Sequence, residues 1–87
     1  MSWTLRYSRR AAKDAEKLSR AGLSSPTKKL LSVLLENPFQ NPPPYEKLSG
    51  ELKGKFSRRI NKQHRLVYDV MKREKTVNIL QMWTHYE

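Results

Sequence analysis

Residues able to move protons and hold a phosphate occur in this chain in a definite order. An acid, Glu46, follows a proline run at Pro42-Pro43-Pro44. Ser57-Arg58-Arg59-Ile60 comes next, then His64-Arg65-Leu66-Val67-Tyr68, and the sequence ends in His85-Tyr86-Glu87. One carboxylate, several guanidinium groups and one imidazole near the chain end are a sufficient set for cutting RNA without a metal. Carboxylate and imidazole can transfer protons, and arginines can hold the charge on a phosphate.

Other chemistries lack their parts. The chain has no cysteine, which removes thiolate catalysis, disulfides and cysteine-type zinc sites, and fits a reducing compartment. Two histidines without an acidic cluster do not make a metal site. There is no glycine-rich phosphate loop, and Ser57 has no nucleophile elbow around it. No cofactor and no metal are expected. No apolar run approaches the ~20 residues of a membrane span, and the N-terminal residues lack the apolar core of a signal peptide. A cytoplasmic protein that needs no membrane is the simplest reading.

Charge points to a partner. The net charge is +10. Between Lys53 and Tyr68 stand six cations (Lys53, Lys55, Arg58, Arg59, Lys62 and Arg65) and no anion. Such a block attracts a polyanion. Nucleic acid comes first, an acidic protein second and an anionic membrane surface third. Because the block coincides with strand-like sequence, where side-chain direction is fixed, it reads as more than a solvated face.

The elements that must position these groups follow from periodicity. Eighty-seven residues allow one domain, 1–87, with one small core. Trp3, Leu5 and Tyr7 alternate as in a short strand. Ser8 suits an N-cap for a helix from Arg9 to Ala21 with Ala11, Ala15 and Leu18 on its apolar face, and Gly22 stops it. Ser25-Pro26 opens a second helix, with Ser25 as cap and Leu30, Leu31 and Leu34 as core, closed by Asn37-Pro38. The short link between them predicts an antiparallel helical hairpin. Asn37 to Pro44 reads as a rigid loop with extended, polyproline-like backbone. Strands are expected at Lys55–Ile60, at Arg65–Met71 and from Thr76 to about Thr84, joined by polar turns. The order predicts an α+β layer, an antiparallel sheet with helices on one face and the other face free.

Period two then sorts the side chains. Leu66, Tyr68 and Val70 share one face of their strand, and Arg65 and Val67 the other. Ser57 and Arg59 share parity on the neighbouring strand, so a cooperative register sets Arg59 beside Arg65 on the open face. Two adjacent guanidinium groups repel unless an anion sits between them, and arginine suits bidentate phosphate contact. Arg58 has the parity of Phe56 and Ile60, which places it at a bulge or sheet edge, or in an ion pair with Asp69 or Glu36. His64 reads as capping or packing at a turn. His85 shares parity with Trp83, and a histidine titrating near neutrality is a suitable acid for a departing alkoxide.

These motifs resemble the YoeB-type toxins of bacterial type II toxin–antitoxin modules, relatives of the RelE toxins. The resemblance rests on Glu46-Lys47-Leu48, Leu52-Lys53-Gly54, Ser57-Arg58-Arg59-Ile60, His64-Arg65-Leu66-Val67-Tyr68 and His85-Tyr86. It is strong over residues 37–87 and rests on pattern alone before them. It implies a RelE-like, microbial-RNase-like α+β fold and a ribosome-dependent endoribonuclease. Such an enzyme cuts translated mRNA in the ribosomal A site by attack of the 2′-hydroxyl on the adjacent phosphate. By that resemblance Glu46 is the general base, Arg65 stabilises the phosphate with Arg59 in support, His85 is the general acid, and Tyr86 positions substrate. Each proton transfer contributes roughly 10²–10⁴-fold. Lys53 and Lys55 are expected to help hold the RNA backbone. Three positions depart from the family pattern: Lys47 where many relatives have proline, Phe56 where many have tryptophan, and Glu87 after the tyrosine.

The resemblance also implies an acidic cognate antitoxin of YefM or Phd type, folding on the basic surface. Operator DNA is expected only jointly with that antitoxin, and a homodimer is compatible with the sequence. Two other functions stay open. A non-catalytic RNA- or ribosome-binding module would use the same basic face without proton transfer. A DNA-binding regulator would need a recognition helix, and residues 9–36 supply no persuasive one.

Overall fold

The computed structural model describes residues 3–83. Strand β1 (Thr4–Tyr7) leads into helices α1 (Arg9–Arg20) and α2 (Ser24–Glu36). After a loop come β2 (Glu46–Lys47), a single 3₁₀ turn (Gly50–Leu52), β3 (Phe56–Arg59), β4 (Arg65–Met71) and β5 (Thr76–Gln81). The sheet order is β1-β5-β4-β3-β2. Strands β2 to β5 pair antiparallel in succession, as the hairpins require. Strand β1 adds a parallel edge against β5, so the five-stranded sheet is mixed. The two helices intervene between β1 and the strands that follow, and a crossover of that length is what a parallel pairing needs.

Ser8 caps α1 as expected. Its hydroxyl accepts from Ala11 N at 2.9 Å and donates to Leu80 O at 2.7 Å, so the cap also ties the helix start to β5. The apolar face of α1 differs from the expected set. Ala11 and Leu18 are buried, but Ala15 is exposed and Asp14 is buried instead. The carboxylate of Asp14 accepts from the backbone N–H groups of Met82 and Trp83, at 3.0 and 3.3 Å. That contact fastens the chain beyond β5 to the helix, and it satisfies a group whose burial would otherwise be costly.

The second helix starts one residue before the expected Ser25 cap. The residue in the cap position is Leu23, with no side-chain cap. The stop of α1 decides this. Gly22 turns with φ +76°, Leu23 N donates to Leu18 O, and Leu23 O accepts from Thr27 N and its hydroxyl. In the 37–44 loop the expected extended proline run contains two cis peptide bonds, Asn41-Pro42 and Pro42-Pro43. The core joins Ala11, Leu18, Leu30 and Leu34 of the helices to Leu66, Tyr68, Val77 and Ile79 of the sheet, with Val70 packed against it. The parity expected of β4 holds, and the third hairpin strand ends at Gln81 rather than Thr84.

Candidate active site

On the side of the sheet away from that core, cross-strand pairing builds one cluster. Glu46 pairs with Ser57, Ser57 with Val67, and Arg59 with Arg65. Directly opposed residues on one face lie within side-chain reach of each other. Glu46, Ser57, Arg59 and Arg65 line a cavity of about 140 Å³, bordered by Pro43, Pro44 and Tyr45. The proline run therefore delivers Glu46 to the two arginines. Arg59 and Arg65 stand opposite each other on neighbouring strands, a like-charge arrangement that destabilises a sheet unless an anion lies nearby. The resident anion is Glu46, whose Oε1 lies 3.3 Å from Arg65 Nη1. The Glu46 side chain is 64% exposed and that of Arg65 34%. So open an ion pair contributes roughly 0–1 kcal/mol, and a phosphate can take over the arginine without a large cost.

The loop that carries Glu46 is held by Arg58, for which the sequence suggested a carboxylate partner. Neither Asp69 nor Glu36 pairs with it. Arg58 is 1% exposed and binds oxygen atoms and rings instead. Its Nη1 donates to Pro43 O at 2.6 Å, and its Nη2 to Pro38 O and Gln40 O, both at 2.9 Å. Its Nε donates to the Tyr68 hydroxyl at 3.1 Å, and the guanidinium carbon lies 5.0 Å from the Tyr45 ring centroid. The Tyr68 hydroxyl in turn donates to Pro38 O at 3.1 Å. Burial pushes the Tyr68 phenol above its ordinary 10.0, and the charge and hydrogen bond of Arg58 oppose that shift. The phenol thus keeps the proton it gives to Pro38. The parity of Arg58 with Phe56 and Ile60 suggested a bulge or sheet edge, but β3 lies between β4 and β2 and Arg58 is buried in regular pairing with Leu66. The missing signal was the loop: proline-rich backbone offers carbonyls in excess of N–H groups, and a buried guanidinium with five donors is their natural complement.

The other expected site residues fall apart from the cavity or outside the description. Lys55 lies on the same face but does not line the cavity, and its Nζ is 4.0 Å from Asp69. Lys53 is exposed at the end of the 3₁₀ turn, also beyond the lining. His64 packs at its turn as expected. It is 3% exposed, stacks on Trp83 with ring centroids 4.0 Å apart, and its backbone N–H donates to Asn61 Oδ1 at 2.7 Å. His85 and Tyr86 lie outside the described residues. Among the described residues no group of three or more His, Asp or Glu could hold a metal ion, and no helix is long and apolar enough to cross a membrane.

Comparison with known proteins agrees with the resemblance read from the motifs. The family model for the YoeB-like toxin of bacterial type II toxin–antitoxin systems matches residues 7–86. A YoeB/ParE toxin from Agrobacterium tumefaciens superposes with a TM-score of 0.84 at 28% identity, covering 95% of this chain and 99% of that one. A YoeB–YefM complex from Staphylococcus aureus gives 0.79 at 28% identity, covering 99% and 100%. A YoeB dimer from Staphylococcus aureus gives 0.79 at 27%, again covering 99% and 100%. No curated protein sequence matches the chain.

Proposed function

The chain belongs to the family of YoeB-like toxins of bacterial type II toxin–antitoxin systems, and we propose that it is a ribosome-dependent endoribonuclease that cleaves translated mRNA in the A site. The observation that carries this reading is the cavity in which Glu46, Ser57, Arg59 and Arg65 meet. A phosphodiester seated there is held by two guanidinium groups, while the carboxylate it displaces from Arg65 faces the sugar.

In the proposed reaction Glu46 takes the proton of the 2′-hydroxyl as that oxygen bonds to phosphorus. Arg65 and Arg59 stabilise the charge on the equatorial oxygens, where fixed donors act most strongly because water is partly excluded. The bond from phosphorus to the 5′-oxygen breaks, and His85 gives that oxygen its proton. The products are a 2′,3′-cyclic phosphate, which water opens to a 3′-phosphate, and a free 5′-hydroxyl. The topology supports a role for the chain end. Strand β5 leaves the sheet at Gln81 opposite Val67, two residues along β4 from Arg65. Tyr86 positions the substrate, and Lys53 and Lys55 draw in the RNA backbone as part of the +10 charge. No metal or cofactor takes part in these steps.

The same charge suits an acidic antitoxin that folds on the toxin in the cytoplasm and neutralises it. The Staphylococcus aureus complex gives the precedent for such a partner, and the dimer from that species gives one for self-association. Operator DNA is bound only jointly with the antitoxin. Growth arrest on induction tests the catalytic assignment. Glu46→Ala, Arg65→Ala and His85→Ala are each expected to relieve arrest while keeping the wild-type circular dichroism spectrum. Three fully toxic variants would refute the roles. Arrest without new RNA ends on translated message would mean a non-catalytic ribosome-binding module.

A further inference from the structure

A second cavity lies across the edge strand from the first. It measures about 570 Å³ and is lined by Phe39, Tyr45 and Phe56, with Lys47 and Lys72 among its walls. We propose that this aromatic, lysine-flanked cavity is a stacking subsite for an unpaired RNA base flanking the scissile linkage. The inference rests on the endoribonuclease reading given above.

Four observations lead there. Strand β2 is only two residues long and forms the sheet edge, so Glu46 and Lys47 project to opposite faces. Glu46 opens on the arginine cavity, whereas Lys47 pairs with Phe56 and opens on the aromatic one. Tyr45 borders both cavities. A strand whose phosphate lies at Glu46 and Arg65 therefore reaches the aromatic cavity by rounding one short edge. The rings are held at fixed angles: Phe39 meets Phe56 edge-on at 5.5 Å, and Tyr45 meets Phe56 edge-on at 5.8 Å. All three rings are half-buried and line the cavity. Behind them Phe56 stacks on Tyr68 at 5.7 Å, which in turn is locked by Arg58. The platform is thus rigid before any ligand arrives.

The charges complete the pattern. Lys47 comes from β2 and Lys72 from the β4–β5 turn, and both are exposed. The Lys72 ammonium already sits 5.4 Å from the Phe39 centroid, in a cation–π position. Aromatic faces between ammonium groups are the recurring device for single-stranded nucleic acid, because every base has a π-face and every nucleotide a phosphate. A cavity of about 570 Å³ falls in the range of small-ligand sites, roughly 300–1,000 Å³. An acidic peptide would engage the lysines but would not need flat rings held open. The rings favour RNA. Besides the two lysines, the Tyr45 hydroxyl is the one polar side-chain group among the residues named, too few fixed donors and acceptors to read base identity by paired hydrogen bonds. It would hold the flanking nucleotide and so orient the 2′-hydroxyl toward Glu46.

The test uses the full chain on ribosomes programmed with message that carries a 2′-O-methyl group at the nucleophile and a photoreactive 4-thiouridine on either side of the cleavage position. Cross-links are expected at Phe39, Tyr45 or Lys72 from one of the two flanking positions. The exposed double variant Lys47→Gln/Lys72→Gln should lower their yield at least fivefold, and Phe39→Leu should do the same. Cross-links confined to the arginine face, or yields unchanged in the double variant, would overturn the subsite. So would protection of Phe39 and Tyr45 from hydroxyl-radical labelling by the antitoxin but not by the message. Cleavage of unmodified message, followed in parallel, separates the two readings. Cross-links without cleavage by the wild type count against catalysis, and cleavage without cross-links counts against the subsite.

Discussion

Replacing Arg58 with methionine keeps an unbranched side chain of similar length and removes the charge. Four hydrogen bonds disappear, to Pro38 O, Gln40 O, Pro43 O and the Tyr68 hydroxyl. Hydrogen bonds to charged groups contribute about 1.5–3 kcal/mol each, so the gross loss is about 6–12 kcal/mol. Much of that is offset, because the variant no longer buries a guanidinium whose desolvation costs several kcal/mol. The carbonyls left behind also recover water if the loop opens. A net loss of about 3–5 kcal/mol follows, the size seen when one partner of a buried charged network is removed. At about 0.05–0.15 kcal/mol per residue an 87-residue chain has roughly 4–13 kcal/mol in all. The loop should therefore yield before the sheet does. Urea unfolding followed by circular dichroism measures the global loss, and amide hydrogen exchange over residues 39–48 measures the local one. Arg58→Lys should lie between, since one ammonium cannot reach carbonyls on three residues and a phenol at once. A global loss under about 1 kcal/mol together with unchanged exchange in the loop would refute the idea that Arg58 holds Glu46 in place.

Three further outcomes follow from single contacts. Tyr68 has a raised phenol, so its contribution is complete below pH 10.0 and is lost as pH climbs through the higher folded value. Burial raises the Tyr7 phenol as well, so alkaline titration watched at the phenolate absorbance should show two late-ionising tyrosines. The Tyr68 step should coincide with unfolding, and Tyr68→Phe should remove it. Asp14→Ala leaves two backbone N–H groups of residues 82 and 83 without their acceptor. Thermal unfolding should register a loss of about 2–4 kcal/mol, summing roughly 1–3 kcal/mol for each donor left bare less the gain from water reaching the chain end. A double-mutant cycle on Glu46 and Arg65 should give a coupling below about 1 kcal/mol for stability, as for other open ion pairs. The same pair should matter far more in cleavage, where single substitutions at a proton-transfer group typically cost about 10²–10⁴-fold.

The sheet and its register were legible because alternation is unambiguous where one face is buried. Leu66, Tyr68 and Val70 could only point inward, which fixed Arg65 outward and made Arg59 its neighbour once the hairpin paired. Ser8 was legible for a similar local reason, since its hydroxyl answers an N–H three residues on. The parallel placement of β1 was not, because it depends on a crossover through two helices and on no short-range signal. The burial of Asp14 was hidden as well. Its partners lie 68 and 69 residues away, and a carboxylate on a helix this rich in charged residues reads as a surface residue. Arg58 was misplaced at a bulge, a sheet edge or an ion pair, because its acceptors are mainly backbone carbonyls, which carry no side-chain signature. Lys53 and Lys55 show the limit of reading a charge block, which gives sign and density but not which cations reach a cavity.

The chemistry of the RNA ends tests the central claim most directly. Purified toxin is added to translating ribosomes, and the cleaved message is probed for a 5′-hydroxyl and for a 2′,3′-cyclic or 3′-phosphate. Attack by the 2′-oxygen predicts those ends at A-site codons from the wild type, and their loss from Glu46→Ala and from Arg65→Ala. Fragments bearing 5′-phosphate and 3′-hydroxyl ends, or an undiminished cut from both variants, would contradict the account.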